Sequence, residues 1–235
     1  IFVEKQNFKE MKIDEALNLD FNNISLKRDG LLLHWVDKQL ISNRDCIRND
    51  RFPHIAKLLN KFEIDNVIGE VYIPNGNIFN ITSKVNWRNA RYMIFDFKTS
   101  QSIEQKRQII REIVKRINSP SITEPLYFAT IREGWAYVVE NNGEGLVAKD
   151  SNFEIYKIKK LNEAKARIVG YEKGLQKGAF ILENGGKVSA TSEAFVEKYR
   201  RLSNGNEVYA DIRYQFMTPD GKLFQPRLMD IFILT

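Results

Sequence analysis

The periodicity of the chain changes near residue 160, and that change limits the fold more than any other feature. Before it, strand-length apolar runs, VIGEVYI (67–73) and ARYMIFDF (90–97), alternate with longer segments of helical spacing. Those segments are FPHIAKLLNKF (52–62), SIEQKRQIIREIVKRI (102–117, with Ser102 as N-cap) and TIREGWAYVVEN (130–141). EGLVAKD (144–150) and FEIYKIKK (153–160) read as two short paired strands. Residues 24–42 read as a hairpin in which ISL and LLLHWV flank a KRDG cluster and LIS follows a DKQ turn. After Lys160 the chain becomes short strands broken by NGG, NGN and PDG turns, with SEAFVEKYRRL (192–202) as its single helical stretch. The expectation is an α+β chain of two domains, residues 1–161 and 162–235.

Several short strands and one helix in so short a second domain suit a small closed barrel such as the OB-fold. A net charge of +6, spread evenly along the chain, suits a polyanionic partner without requiring one. One cysteine, Cys46, excludes an internal disulfide and a cysteine zinc site, and His34 and His54 are too few for a histidine metal site. No apolar run approaches a membrane span and no signal peptide is evident, so the expectation is a soluble, cytoplasmic chain without a membrane partner.

ISLKRDGLLLHW (24–35) sets Lys27 beside an apolar strand. An isolated lysine in such a place most often packs its stem and lets its ammonium reach water. A nucleophilic role needs a partly neutral amine, which desolvation and neighbouring cations favour. In an extended segment Arg28 points to the opposite face, whereas Asp29 shares the face of Lys27 and could orient the amine or hold a metal. Gly30 lets the backbone approach a ligand. Further along, Glu70 in GEVYIPNG, Phe95 in YMIFDF, Glu144 in GEGLVAKD and the alternating Lys157 and Lys159 in YKIKK each have an ordinary reading as solvent face, core or turn. Their order along one chain is what singles them out.

That ordered set resembles the covalent nucleotidyltransferase superfamily, the ATP-dependent DNA ligases with the RNA ligases and mRNA capping enzymes. KRDG at 27–30 matches the nucleophile motif, GEVYIP at 69–74 the third, YMIFDF at 92–97 the aromatic motif, EGLVAKD at 144–150 the fourth and YKIKK at 156–160 the fifth. ISNRDCIRNDRFPHI (41–55) resembles the ligase segment after the nucleophile, and TPDGKLFQPRLMDI (218–231) the end of a DNA ligase OB domain. The resemblance implies a nucleotidyltransferase domain of antiparallel sheets flanked by helices, followed by an OB barrel. It implies that Lys27 takes AMP from ATP, that AMP passes to the 5′-phosphate of nicked duplex DNA, and that the 3′-hydroxyl then displaces it. Lys157 and Lys159 would contact the α-phosphate and lower the pKa of Lys27. Glu144, with Asp29, would hold Mg²⁺, Glu70 would accept from the ribose hydroxyls, and Phe95 would stack on adenine. Arg44 would lie close to the ribose and nick phosphate, with Arg48 and Arg51 as further phosphate contacts.

The chain departs from the pattern at two places. Leu32 stands where many DNA ligases carry a basic residue, and the sequence ends PRLMDIFILT, where Arg227 matches the lead-in but the family's closing Arg-x-Asp-Lys is absent. The expectation is then a minimal, monomeric ligase, without a large helical DNA-binding domain before Lys27. The missing close leaves three readings of the first step: the chain is a fragment, it uses other cations, or it works best on a pre-adenylylated nick. An RNA ligase, a capping guanylyltransferase and a catalytically impaired nucleic-acid-binding relative are the alternatives.

Overall fold

The computed structural model describes residues 8–82, 87–97, 99, 101–152, 154–174, 178–218 and 220–234, with the side chains of Phe79 and Thr82 excepted. Phe153 and Pro219, which the strand and turn readings included, lie outside these. The chain divides into two compact units, Ile1–Lys159 and Lys160–Thr235.

The first unit is built on two five-stranded sheets. It runs β1 (Phe8–Met11), α1 (Ile13–Ala16), β2 (Asn23–Lys27), β3 (Leu31–Val36), β4 (Gln39–Ser42), α2 (Pro53–Lys61), β5 (Val67–Tyr72) and α3 (Ile78–Thr82). A 3₁₀ turn at Trp87–Asn89 leads to β6 (Arg91–Phe97), α4 (Ile103–Ile117), β7 (Ile122–Thr123), β8 (Tyr127–Phe128), α5 (Ile131–Glu140), β9 (Gly145–Lys149) and β10 (Ile155–Lys159). One sheet has the order β1-β10-β9-β2-β8, the other β4-β3-β5-β6-β7. The second is thus inserted, as one continuous stretch of chain, between two strands of the first.

This corrects the reading of 24–42 as one hairpin. The hairpin is β3–β4, closed by Asp37 and Lys38, both at positive φ as a twisted two-residue turn requires. Ile24–Lys27 belongs to the other sheet, where β2 pairs with β9 and β8. The KRDG segment is therefore the crossing from one sheet to the other. A run of apolar residues fixes that a strand is half-buried but not which strand it pairs with.

Each sheet buries one face under helices. Leu33, Trp35, Val67, Val71, Tyr92 and Ile94 pack against Phe52, Ile55 and Leu59 around α2 and Ile110 and Ile117 of α4. Ile24, Leu26, Leu146, Ala148 and Ile158 pack against Ile131 and Val138 of α5. Alternation then puts Ser25, Lys27, Val147, Lys149, Lys157 and Lys159 on the free face of the first sheet, and Leu32, Glu70, Met93 and Phe95 on that of the second. α4 starts as its sequence directs: Ser102 accepts from Gln105 N at 3.3 Å and Gln105 Oε1 accepts from Ser102 N at 3.0 Å.

The second unit has β11 (Asn162–Glu172), β12 (Ala179–Leu182), β13 (Lys187–Ser189), α6 (Glu193–Leu202), β14 (Val208–Tyr214), the short pair β15 (Phe216–Met217) and β16 (Leu223–Phe224), and β17 (Arg227–Ile233). Its five-stranded antiparallel sheet runs β13-β12-β11-β14-β17, and the edge strands β13 and β17 approach one another. Phe180, Leu182, Val188, Ala210, Ile212 and Ile231 fill it, closed by Val196 of α6. Among the described residues no helix is long and apolar enough to cross a membrane.

Candidate active site

The free faces of the two sheets meet around Lys27. The lysine ends β2, and the cross-strand register runs Lys27–Gly145–Lys159. Gly145 has φ +154°, and a Cβ there would lie 2.1 Å from the Ile158 carbonyl oxygen, so the rung between the two lysines carries no side chain. Glu144, the residue before it, accepts from Lys27 Nζ at 2.6 Å and lies 3.7 Å from Lys159 Nζ. The Lys27 and Glu144 side chains keep only 13% and 5% of their accessible surface. Lys157, two residues before Lys159 on β10, faces the same way.

Gly30 brings the second sheet against this cluster. A Cβ on it would lie 2.3 Å from the Val71 carbonyl oxygen and 2.8 Å from Glu70 Cγ. The close approach expected there is thus made to β5 rather than to a ligand. It lays Glu70 beside the lysines. Arg28 leaves the cluster for the second sheet, its guanidinium 4.9 Å from the Tyr72 ring centroid. β2 stops before Asp29, so the expected extended alternation does not carry through it, yet the Asp29 carboxylate still acts electrostatically on Lys27.

The electrostatics reverse one expectation. Burial pulls the Lys27 amine down, but Glu144, then Glu70 and Asp29, hold it above the ordinary lysine value. The lysine held down is Lys157, by burial first and then by the charges of Lys27 and Lys159. Like-charge repulsion was expected to depress Lys27, but the nearer carboxylates outweigh it. Burial lifts the Glu70 carboxyl to about 7, and the opposing pulls of Lys27 and Lys157 do not offset it.

Phe95 projects from a β-bulge. Ile68 pairs with Asp96 and Gly69 with Ile94, which leaves Phe95 as the extra residue of β6. The bulge also directs Asp96 across to the first sheet, where it binds Lys149 of β9 at 3.3 Å besides Lys106 of α4 at 2.8 Å. Burial alone would raise the Asp96 carboxyl, but Lys149 and Lys106 together hold it below the usual range. This buried cross-link joins the two sheets beside the site.

The arginines after the nucleophile are scattered. Arg44 is exposed on the turn after β4. Arg48 is half-buried, its Nε without a hydrogen-bond partner. Arg51 donates to the Ile81 carbonyl of α3, a structural contact that occupies part of its guanidinium. Sequence reasoning also missed β1. It pairs in parallel with β10 and sets the Phe8 ring centroid 3.7 Å from Lys157 Nζ. FKEM carries no alternating pattern, and nothing in four residues marks it as a strand without its distant partner.

The carboxylates around Lys27 offer hard oxygen donors. Among the described residues no three His, Cys, Asp or Glu side chains form a ready metal cage. One or two carboxylates with water and phosphate oxygens is the set magnesium accepts, and Glu144, Glu70 and Asp29 fit it.

No family model matches the sequence, and no curated protein matches it. Solved structures do. A structure from work on Lig E DNA ligases, described as DNA binding with a minimal scaffold, superposes with a TM-score of 0.75 at 16% identity, over 98% of this chain and 100% of that one. The ligase domain of LigD from M. tuberculosis gives 0.55 at 15% identity, over 95% and 93%. The Chlorella virus DNA ligase-adenylate gives 0.51 at 13%, over 98% and 100%. The chain therefore has the fold of the ATP-dependent DNA ligases, an α+β nucleotidyltransferase-type fold in its minimal form.

Proposed function

We propose that this chain is an ATP-dependent DNA ligase that seals nicks through AMP carried on Lys27. The observation that carries the reading is the buried Lys27–Glu144 pair with Lys159 beside it and a side-chain-free rung between the lysines, facing Glu70, all within a ligase-like fold. In the first step Lys27 Nζ attacks the α-phosphorus of ATP, the bond from that phosphorus to the bridging oxygen breaks, and pyrophosphate leaves with the electron pair. The AMP then passes to the 5′-phosphate oxygen at a nick, freeing Lys27. The 3′-hydroxyl attacks the activated phosphorus, loses its proton and releases AMP.

Lys157 and Lys159 supply the cations that charge on the phosphate oxygens requires. Glu70 and Phe95, on the opposing sheet, suit the ribose hydroxyls and the adenine ring. Arg44, Arg48 and Arg51 remain candidates for phosphate contacts. Lys27 must lose a proton before it attacks, and Glu144 is the neighbouring base and ion-pair partner that governs this. Mg²⁺, held by Glu144 with Glu70 or Asp29, would supply positive charge that offsets these carboxylates and the phosphates. The second unit supports an OB-type reading, since a helix separates its third and fourth strands and its first strand pairs with its second and fourth.

The test uses ATP labelled at the α-phosphate with Mg²⁺, then nicked DNA. Label that stays on denatured protein, is lost in Lys27→Ala and is discharged by nicked DNA with sealing is expected. The proposal would be overturned by a protein that takes no label from ATP and also fails to seal a pre-adenylylated nick. Sealing confined to RNA nicks would reassign the chain to the RNA ligases.

A further inference from the structure

At the end of the second sheet, beyond Glu70, lies a depression whose polar residues no sequence motif covers. Where β5 leaves at Tyr72 and β6 enters at Arg91, the turn after β5, the 3₁₀ turn and the segment before β7 enclose about 430 Å³. Arg88, Asn89, Arg91 and Ser121 supply the polar groups of its wall, and no acidic residue lines it. Among the described residues neither Arg88 nor Arg91 forms an ion pair, in a chain where many surface arginines do. Two arginines on one wall with no acidic residue there leave its positive charge unbalanced unless an anion joins them, and their planar forks fit phosphate.

The depression is also connected to Lys27. Tyr72 pairs with Arg91 and shares the face of Glu70. Its hydroxyl reaches Thr123 Oγ1 at 3.4 Å across β6, which lays the ring along this face. Arg28, the residue after Lys27, stacks on that ring. Arg28, Arg91 and Arg88 therefore lead in sequence from the nucleophile to the depression. A single nucleotide has its phosphates beside Lys27. A further phosphate site along such a line suits a polymer that repeats them.

We propose that the depression walled by Arg88 and Arg91 holds the phosphodiester backbone of duplex DNA beside the nick. The inference rests on the ligase reading for its partner, and its test is separable from that reading. Equilibrium binding of nicked duplex, which needs no chemistry, is measured against salt for the parent, Arg88→Ala, Arg91→Ala, the double alanine variant and the double lysine variant. Label transfer from ATP is measured alongside. Each phosphate contact contributes about 0.9 to the slope of log K against log salt. The double alanine variant should lose roughly 1.8 of slope, about twice the single contact value, and bind at least about tenfold more weakly at moderate salt, while the lysine variant keeps the slope. The KM for ATP should be unchanged. Arg88 is exposed on the 3₁₀ turn, so its single variant, losing about 0.9, serves if Arg91 variants fold poorly. A parent-like slope in Arg88→Ala and in the double variant overturns the inference. So does a raised KM for ATP with DNA binding intact, which would assign the arginines to the nucleotide. Failure of the parent to take label bears on the ligase reading alone.

Discussion

The two sheets of the first unit present free faces of opposite electrical character. The first carries dense charge that is largely compensated: Glu144 serves Lys27 and Lys159, and Lys149 takes its partner, Asp96, from the second sheet. The second carries a carboxyl whose burial outweighs the pull of Lys27 and Lys157, Glu70, beside Met93 and the bulged Phe95. A phosphate brought between them meets lysines on one side and a poorly ionised carboxyl with apolar surface on the other. Substitutions on the first face should therefore act on the chemical step, and those on the second on nucleotide affinity and on the free protein's response to pH.

The largest effect should come from Glu144→Gln. It leaves Lys27 buried without its nearest charge, and breaking a buried pair costs about 3–5 kcal/mol. Label transfer should fall at least about a hundredfold, 1.4 kcal/mol being tenfold. Because burial then acts on Lys27 with less opposition, the acid limb of the pH–rate profile should move to lower pH. An unmoved limb would show that another group controls the proton.

Asp96→Asn removes the charge that joins the two faces and leaves Lys149 half-buried without its partner. The expected loss is on the order of 2–3 kcal/mol, read by urea denaturation. It is present at neutral pH and fades as acid protonates the parent, because the folded Asp96 carboxyl lies below its ordinary value.

Glu70→Gln should show the opposite sign. The folded carboxyl titrates near 7 against an ordinary 4.5, so its contribution to stability is complete below about 4.5 and is lost as pH rises through 7. The melting temperature of Glu70→Gln should therefore gain on the parent as pH rises across that window and hold its lead above it. A constant difference would mean that Lys27 and Lys157 fully offset the burial of Glu70.

Phe95→Ala should raise the KM for ATP by about fivefold to tenfold, the worth of one stacked ring, with Phe95→Tyr restoring it. The smallest effect belongs to neither face. Ser102→Ala should cost about 1 kcal/mol through the α4 cap and leave label transfer unchanged.

Much of this site was legible because its residues lie in short motifs. KRDG, EGLVAKD and YKIKK gave Lys27, Glu144, Lys157 and Lys159, and strand alternation alone put both β10 lysines on one face. Partnership between distant strands was not legible. The 24–42 hairpin failed because apolar pattern identifies β2 without its true neighbour β9, and Phe8 went unread because β1 owes its place to β10. The direction of the Lys27 shift failed for the same reason. It depends first on Glu144, which the β2–β9 register brings to Lys27, and then on Glu70, which Gly30 brings near by settling against β5.

The insertion of one sheet within the other has a consequence for synthesis. Every strand of the second sheet finds its partner within residues 31–123, so that sheet can close while the chain is still being made. Lys27 and Glu144 are 117 residues apart, and a ribosome adding about 5–20 residues per second makes that stretch on the order of ten seconds after Lys27. Through that interval β1 and β2 wait with open edges for β9 and β10. The charged half of the site is the last to form, on a scaffold its neighbour has already completed.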